Sequence, residues 1–315
     1  MFSILILVAG LALLIFAGDL LVRGAVAFAE KIGISPLIIG LTIVAFGTSA
    51  PELFVSLKAA INGIYGIAIG NVVGSNITNV LLVLGIPALI VPVACREKGL
   101  GFSLVMMSAM TIVMMIMMAM GRLGHIDGMI LLGMLGVFLA WQFKRAHADM
   151  NNHEMVEDYH SEFQKLPVEN SRIAAYTLSG LIGLPVGASL TVHGAVDIAQ
   201  WMGVSDTVIG LTIVAIGTSL PELVTTFMAA WRRSGAVAIG NVVGSNIFNV
   251  GAILGITSLV HPLLVPVRIV YLDMWILALS TILLLALAFI SRPIGKLGGM
   301  ALVAAYCLYF VVILH

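Results

Sequence analysis

Residues 41–53 read LTIVAFGTSAPEL and residues 211–223 read LTIVAIGTSLPEL. Each is an apolar run broken by Gly-Thr-Ser, a proline and a glutamate, Glu52 in the first and Glu222 in the second. An ionised carboxylate in such a run costs several kcal/mol or more unless it is paired or coordinates a cation. No basic residue stands close in sequence to either glutamate, so a bound metal ion is the expected partner.

A second pair of stretches follows at the same offset: AIGNVVGSNITNV at 68–80 and AIGNVVGSNIFNV at 238–250. Shifting the chain by 170 residues aligns Val22 to Ile86 with Val192 to Ile256 without a gap, and 37 of those 65 pairs are identical. That agreement marks an internal duplication.

The surroundings of the duplicated stretches fix the solvent. Of 315 residues 61% are hydrophobic and 10% charged, against about one quarter charged in soluble domains. A water-soluble enzyme is thereby disfavoured, and zero formal net charge argues against a nucleic-acid surface. Ten of the thirty charged residues fall between Lys144 and Arg172, which reads as a polar linker (144–172) between two halves, 1–143 and 173–315. A spanning helix takes about 20 apolar residues. Helices are therefore expected near 3–28, 35–61, 66–93, 100–120, 125–143, 173–200, 206–231, 236–262, 268–290 and 296–314. The N-terminal run has no basic residue before it and no small-residue cleavage site, so it counts as the first span and not as a signal peptide. The expected fold is an all-α polytopic membrane protein of ten transmembrane helices in two five-helix repeats.

Five is odd, so the second copy lies upside down relative to the first. Lys and Arg gather in cytoplasmic loops. With both termini outside, eleven basic residues from Lys31 to Lys296 fall in or beside inside loops, and the 144–172 linker is cytoplasmic. Only Lys58, Arg122 and Arg268 lie near outside ends. The expected location is the inner or plasma membrane.

Inverted repeats build many secondary transporters, whose sites lie near the midplane on interrupted helices. Thr48 and Ser49 precede Glu52 by four and three residues and share its helical face. Pro51 lacks an N–H and pushes away the carbonyl at Gly47, freeing an oxygen beside the glutamate. Ala45 and Gly47 add backbone without bulk, and the same statements hold for Ala215, Gly217, Thr218, Ser219 and Pro221 around Glu222. Ser75 with Asn79, and Ser245 with Asn249, are four apart on one face of the next helix in each half. Carboxylate, hydroxyl, amide and carbonyl oxygen without His or Cys is a hard-cation ligand set. Two glutamates balance one calcium ion or two sodium ions, and a third sodium would leave the site positive.

The paired GTSAPEL with GNVVGSNITN and GTSLPEL with GNVVGSNIFN resemble the two alpha-repeats of the sodium/calcium exchangers, within the cation/calcium exchanger superfamily. The resemblance spans nearly the whole chain. It implies calcium binding by Glu52 and Glu222 with main-chain oxygens of Thr48 and Thr218. It also implies sodium sites that add Ala45, Ser49, Ser75 and Asn79, with Ala215, Ser219, Ser245 and Asn249 from the inverted copy. It further implies that the first and sixth helices slide across the others to switch access. In some branches the position of Asn249 is aspartate, which goes with potassium co-transport; the amide here implies potassium-independent exchange. Proton-coupled relatives usually lack the GTS-x-PE wording, which occurs twice in this chain.

Other readings weigh less. A proton/calcium antiporter is the main alternative, because a desolvated glutamate also binds a proton. An intramembrane hydrolase with Ser49 or Ser219 as nucleophile leaves the duplication unexplained and has no neighbouring His. A channel has no need of two buried carboxylates. No GxxxxGK[ST] loop occurs, so ATP is not expected, nor is any cofactor. The expected partners are calcium, sodium and lipid; no oligomeric state is assigned. Asn71, Asn76, Asn241 and Asn246 are expected to brace the broken helices. Asp19 with Arg23, and Asp197 with His193, are expected to pair within their helices, and Asp273 to sit at a membrane interface. Eight methionines between Met106 and Met120 surround their helix and suggest packing and not a copper(I) site. The linker residues His147, His153, His160, Glu154, Glu157 and Asp158 read as a solvated connection, and Cys95 and Cys307 as unpaired thiols.

Overall fold

Hydrocarbon offers no hydrogen bonds, so a backbone that crosses it must satisfy its own polar groups, and this chain does so with helices. The computed structural model describes residues 2–151, 166–204, 213, 215–290 and 292–314. The helices are α1 (Phe2–Ile32), α2 (Pro36–Thr48), α3 (Ala50–Ile61), α4 (Tyr65–Ala88), α5 (Gly101–Ala119) and α6 (His125–Asn151). After the linker come α7 (Asn170–Trp201), α8 (Ala215–Thr218), α9 (Leu220–Trp231), α10 (Gly235–Val260), α11 (Ile269–Phe289) and α12 (Lys296–Leu314). Among the described residues eight helices are long and apolar enough to span a bilayer, and α2 with α3, bent by 44°, makes a ninth candidate. The start of the expected 206–231 helix lies outside the described residues, apart from Ile213; α8 and α9 are its described remainder.

Loops gather at two ends. At one end Ser35 N–H donates to Asp149 (3.4 Å), Lys31 Nζ to Val168 O (3.1 Å), and Arg145 to Gly99 O and Lys98 O. Val93 pairs with Ile294 there, and Gly235 lies against Ala94 and Glu97. At the other end β1 (Arg122–Leu123) pairs antiparallel with β2 (Leu263–Leu264), and the Tyr65 and His261 rings lie tilted with centroids 5.6 Å apart. Thus α3 ends at Asn62–Ile64 on one side of the molecule, and α9 ends at Arg232–Ser234 on the opposite side. Gly63 and Arg233 close these helices in the same left-handed conformation, at φ 74° and 59°.

The α6 helix runs eight residues past the expected 143, through Lys144 to Asn151, because Arg145 and Asp149 find partners on neighbouring loops. Among the described residues no three His, Cys, Asp or Glu side chains gather as a metal cluster. The other linker residues named above, from His153 to His160, lie outside the described set. Both cysteines are free, and burial pushes the Cys95 thiol, in the loop after α4, up to about 12.

Two helices form the interior. Every residue of α10 from Ala236 to Gly255 is buried, and α4 is mostly so. Gly40 of α2 and Gly240 of α10 meet where these helices cross: a Cβ at Gly240 would stand 3.0 Å from Leu37 O. On the buried side of α5, Met107, Met110, Met114, Met117 and Met118 form a stripe, so its methionines pack on the core chiefly from one face.

The α1 and α7 helices form an antiparallel pair at the periphery, with large apolar side chains such as Leu5, Phe16, Leu178 and Ile182 exposed where lipid would lie. Their contact contains Gly180 against Leu21, Gly187 against Leu14 and Gly194 against Leu7. One expectation changes here. Asp19 lies 3.7 Å from Arg23, but its closer partner is Arg232 at the end of α9, at 2.6 Å. Asp273, near the start of α11, is buried, accepts from Tyr309 O–H at 3.3 Å and lies 4.0 Å from Arg268. His193 lies 3.9 Å from Asp197, which also takes a hydrogen bond from Ser3.

Candidate functional site

The GTS-x-PE stretches break their helices. Ser49 leaves helical geometry at φ −83°, ψ 5°, and Ser219 does the same at φ −88°, ψ 5°. Pro51 and Pro221 sit in the first turn of α3 and α9, where a missing N–H costs least. The glutamates follow in those first turns, the end of a helix that favours negative charge. Both are 1% exposed.

The two breaks face each other across the molecule. Ser49 Oγ donates to Glu222 Oε1 at 3.0 Å, joining positions 173 residues apart. The Thr48 hydroxyl lies 3.3 Å from Ala45 O, 3.2 Å from Asn241 Oδ1 and 3.4 Å from Ser245 Oγ. Ala45 O also accepts from Ser49 N–H at 3.1 Å. Asn71 Nδ2 donates to Glu52 O and to Ser56 Oγ, and Asn241 Nδ2 to Glu222 O and Thr226 Oγ1. These asparagines fasten each broken helix to the next one, as expected of a brace.

Asn79 and Asn249 each open a π-helical segment, Asn79–Val83 and Asn249–Leu254. Such segments often mark functional sites. The two amides reach across the centre: Asn79 Nδ2 donates to Asn246 Oδ1 at 3.0 Å and Asn249 Nδ2 to Asn76 Oδ1 at 2.9 Å. Ser75 and Ser245 are buried one helical turn away. The Ser219 hydroxyl lies near the Glu52 carboxylate, but among the described residues Glu52 Oε1 and Oε2, Glu222 Oε2, Asn79 Oδ1, Asn249 Oδ1 and Ser219 Oγ are all buried without a hydrogen bond of normal geometry. Buried polar atoms are normally satisfied. Acceptor oxygens left over beside two carboxylates suit a hard cation and not a hydrogen-bond donor.

Of the twelve sequence-derived residues, Thr48, Ser49, Ala45, Ser245 and Glu222 are linked directly or through Asn241, Asn79 and Asn249 are linked through Asn76 and Asn246, and Glu52 is tied by its backbone carbonyl to Asn71. Thr218 and Ser219 occupy the matching break before α9; Ala215 begins α8. The sequence carried no sign of the π segments, nor of Met107, whose sulfur accepts from Asn246 Nδ2 at 3.8 Å.

The family model described as sodium/calcium exchanger protein matches residues 2–144 and again 173–315. The chain belongs to the sodium/calcium exchanger family. It is a multi-pass membrane transporter and not an enzyme. Among its relatives in this family, the sodium/calcium exchanger MaX1 of Methanosarcina acetivorans is 32% identical, with 99% of each chain covered. The putative antiporter CaxA of Alkalimonas amylolytica is 38% identical over 91% of this chain and 89% of its own. The sodium-calcium exchanger NCX_Mj, in a structure soaked with 2.5 mM Na+ and 0.1 mM Ca2+, superimposes with a TM-score of 0.82 at 33% identity, covering 99% of this chain and 98% of that one.

Proposed function

We propose that this exchanger moves sodium against calcium by alternating access, normally expelling calcium, at a site made by Glu52 and Glu222 with Thr48, Ser49, Ala45, Ser75 and Asn79 and their counterparts Thr218, Ser219, Ala215, Ser245 and Asn249. One observation carries the reading: three carboxylate oxygens and two amide oxygens are buried with no well-formed hydrogen bond among the described residues. A cation supplies the missing partner, and two negative charges match one Ca2+ or two Na+. Sodium as the counter-ion is supported by what MaX1 and NCX_Mj are named for. The two halves, 1–143 and 173–315, are inverted copies joined by a cytoplasmic segment, with both termini outside in the cell's inner or plasma membrane. The end that gathers Lys31, Lys98, Arg145 and Arg232 faces inward. The peripheral α1–α7 pair is the part that slides.

In reconstituted vesicles an outward sodium gradient should drive calcium-45 uptake, because both ions compete for the same carboxylates. Uptake driven equally by a pH gradient without sodium would assign the proton as counter-ion instead.

Potassium should not be required. Asn79 and Asn249 are neutral amides, so the site has only its two glutamate charges to balance. Sodium-driven calcium flux should persist with choline in place of potassium on both sides, and a large loss of flux would refute this.

A further inference from the structure

We propose that Asn76 is a positioning residue that turns the carbonyl oxygen of Asn249 into the cation site. The inference rests on the site reading above and deepens it.

An asparagine amide has an acceptor end and a donor end. Only the acceptor is of use to a cation, so something must set which end faces inward. The polarity originates at a backbone carbonyl, a group that accepts and never donates. Asn246 O takes a hydrogen bond from Asn76 Nδ2 at 3.3 Å. With its NH2 end turned there, Asn76 presents Oδ1 to Asn249, whose Nδ2 donates to it at 2.9 Å. Asn249 Oδ1 is then left on the other side, buried and without a partner, one of the orphan oxygens of the site. Reversing Asn249 would place its oxygen against Asn76 Oδ1, acceptor against acceptor. Reversing both would place Asn76 Oδ1 against Asn246 O, a repulsion of the same kind. The chain of three groups therefore has one favourable sense.

The opposite arm is held more loosely. Asn79 Nδ2 donates to Asn246 Oδ1 at 3.0 Å, but Asn246 Nδ2 has only the Met107 thioether, at 3.8 Å. A thioether is a weak acceptor. Loss of Asn76 should therefore weaken binding more than loss of Asn246.

The test is calcium affinity of the purified protein, measured by isothermal titration and by calcium-dependent thermal shift, in a cycle of Asn76→Leu and Asn249→Asp. A carboxylate has two equivalent oxygens and needs no orienting donor or acceptor. Asn76→Leu should weaken calcium binding about tenfold with Asn249 in place, and less than about twofold in the Asn249→Asp background. Thermal stability in choline without calcium should fall in the Asn249 background and fall less in the Asn249→Asp background, where no hydrogen bond to Asn76 Oδ1 is lost. An unchanged affinity in Asn76→Leu, or an equal loss in both backgrounds, overturns the proposal, the second result showing that Asn76 only supports the fold. Should the leucine variant not be recovered folded, Asn76→Ala runs through the same cycle with the same criteria. Glu52→Gln measured alongside separates the two claims: if it binds calcium as tightly as the parent, the site itself is misplaced; if it is weakened while Asn76→Leu is not, only the positioning role fails.

Discussion

Glu52→Gln and Glu222→Gln should each abolish calcium exchange, lowering flux by more than about a hundredfold. Removing one partner from a dry, charge-matched arrangement costs about 3–5 kcal/mol, and here the partner is a divalent ion that would keep half its charge unbalanced. Both carboxylates are 1% exposed, so water does not compensate. The ion-free protein behaves in the opposite way. Glu222 lies within electrostatic reach of Glu52, and neutralising one of two like charges relieves repulsion. The variants should therefore melt at the same temperature as the parent or higher in choline, and should lose the stabilisation that calcium gives the parent. Near-parental exchange in either variant would remove the two-glutamate site. Lower stability without ions would mean instead that the carboxylates serve the fold.

The ligand candidates were legible because their chemistry is at odds with their surroundings. Glu52 and Glu222 stand out in apolar runs, and Pro51 and Pro221 announce a helix break from covalent structure alone. The eight long apolar helices were legible for the same kind of reason, since length and apolarity are written locally. What escaped are features set by partners far along the chain. Asp19 and Arg232 are 213 residues apart, so the nearer Arg23 looked sufficient. The continuation of α6 to Asn151 depends on Ser35 and Gly99, which no periodicity in the helix itself reveals. The π segments at Asn79 and Asn249 differ from α-helix by one residue of hydrogen-bond register, and side-chain patterning over 13 residues does not resolve that shift. The methionine stripe was hidden for another reason: Met106, Met115 and Met120 fill the gaps between the buried ones, so composition alone showed a ring.

One further signal was present in the sequence and is understood only with the structure. Leu7, Leu14 and Leu21 of α1 are spaced by seven, as are Gly180, Gly187 and Gly194 of α7. In the antiparallel pair each leucine sits over one glycine. Membrane helices associate largely through van der Waals contact, and small residues are what permit the backbones to approach. At Gly180 a Cβ would stand 2.5 Å from Leu21 Cβ and 2.7 Å from its backbone nitrogen, neither of which can swing aside. Gly180→Val should force α1 and α7 apart, at a cost of about 1–3 kcal/mol or more from overpacking. If this pair must move as one body to switch access, exchange should fall at least about tenfold, together with a lower melting temperature in detergent. Gly136→Val supplies the control, because nothing lies within 4 Å of a Cβ there; it should leave both quantities close to those of the parent. Parental flux and stability in Gly180→Val would show that the two helices do not depend on this close approach, and the α1–α7 pair would lose its claim to be the moving body.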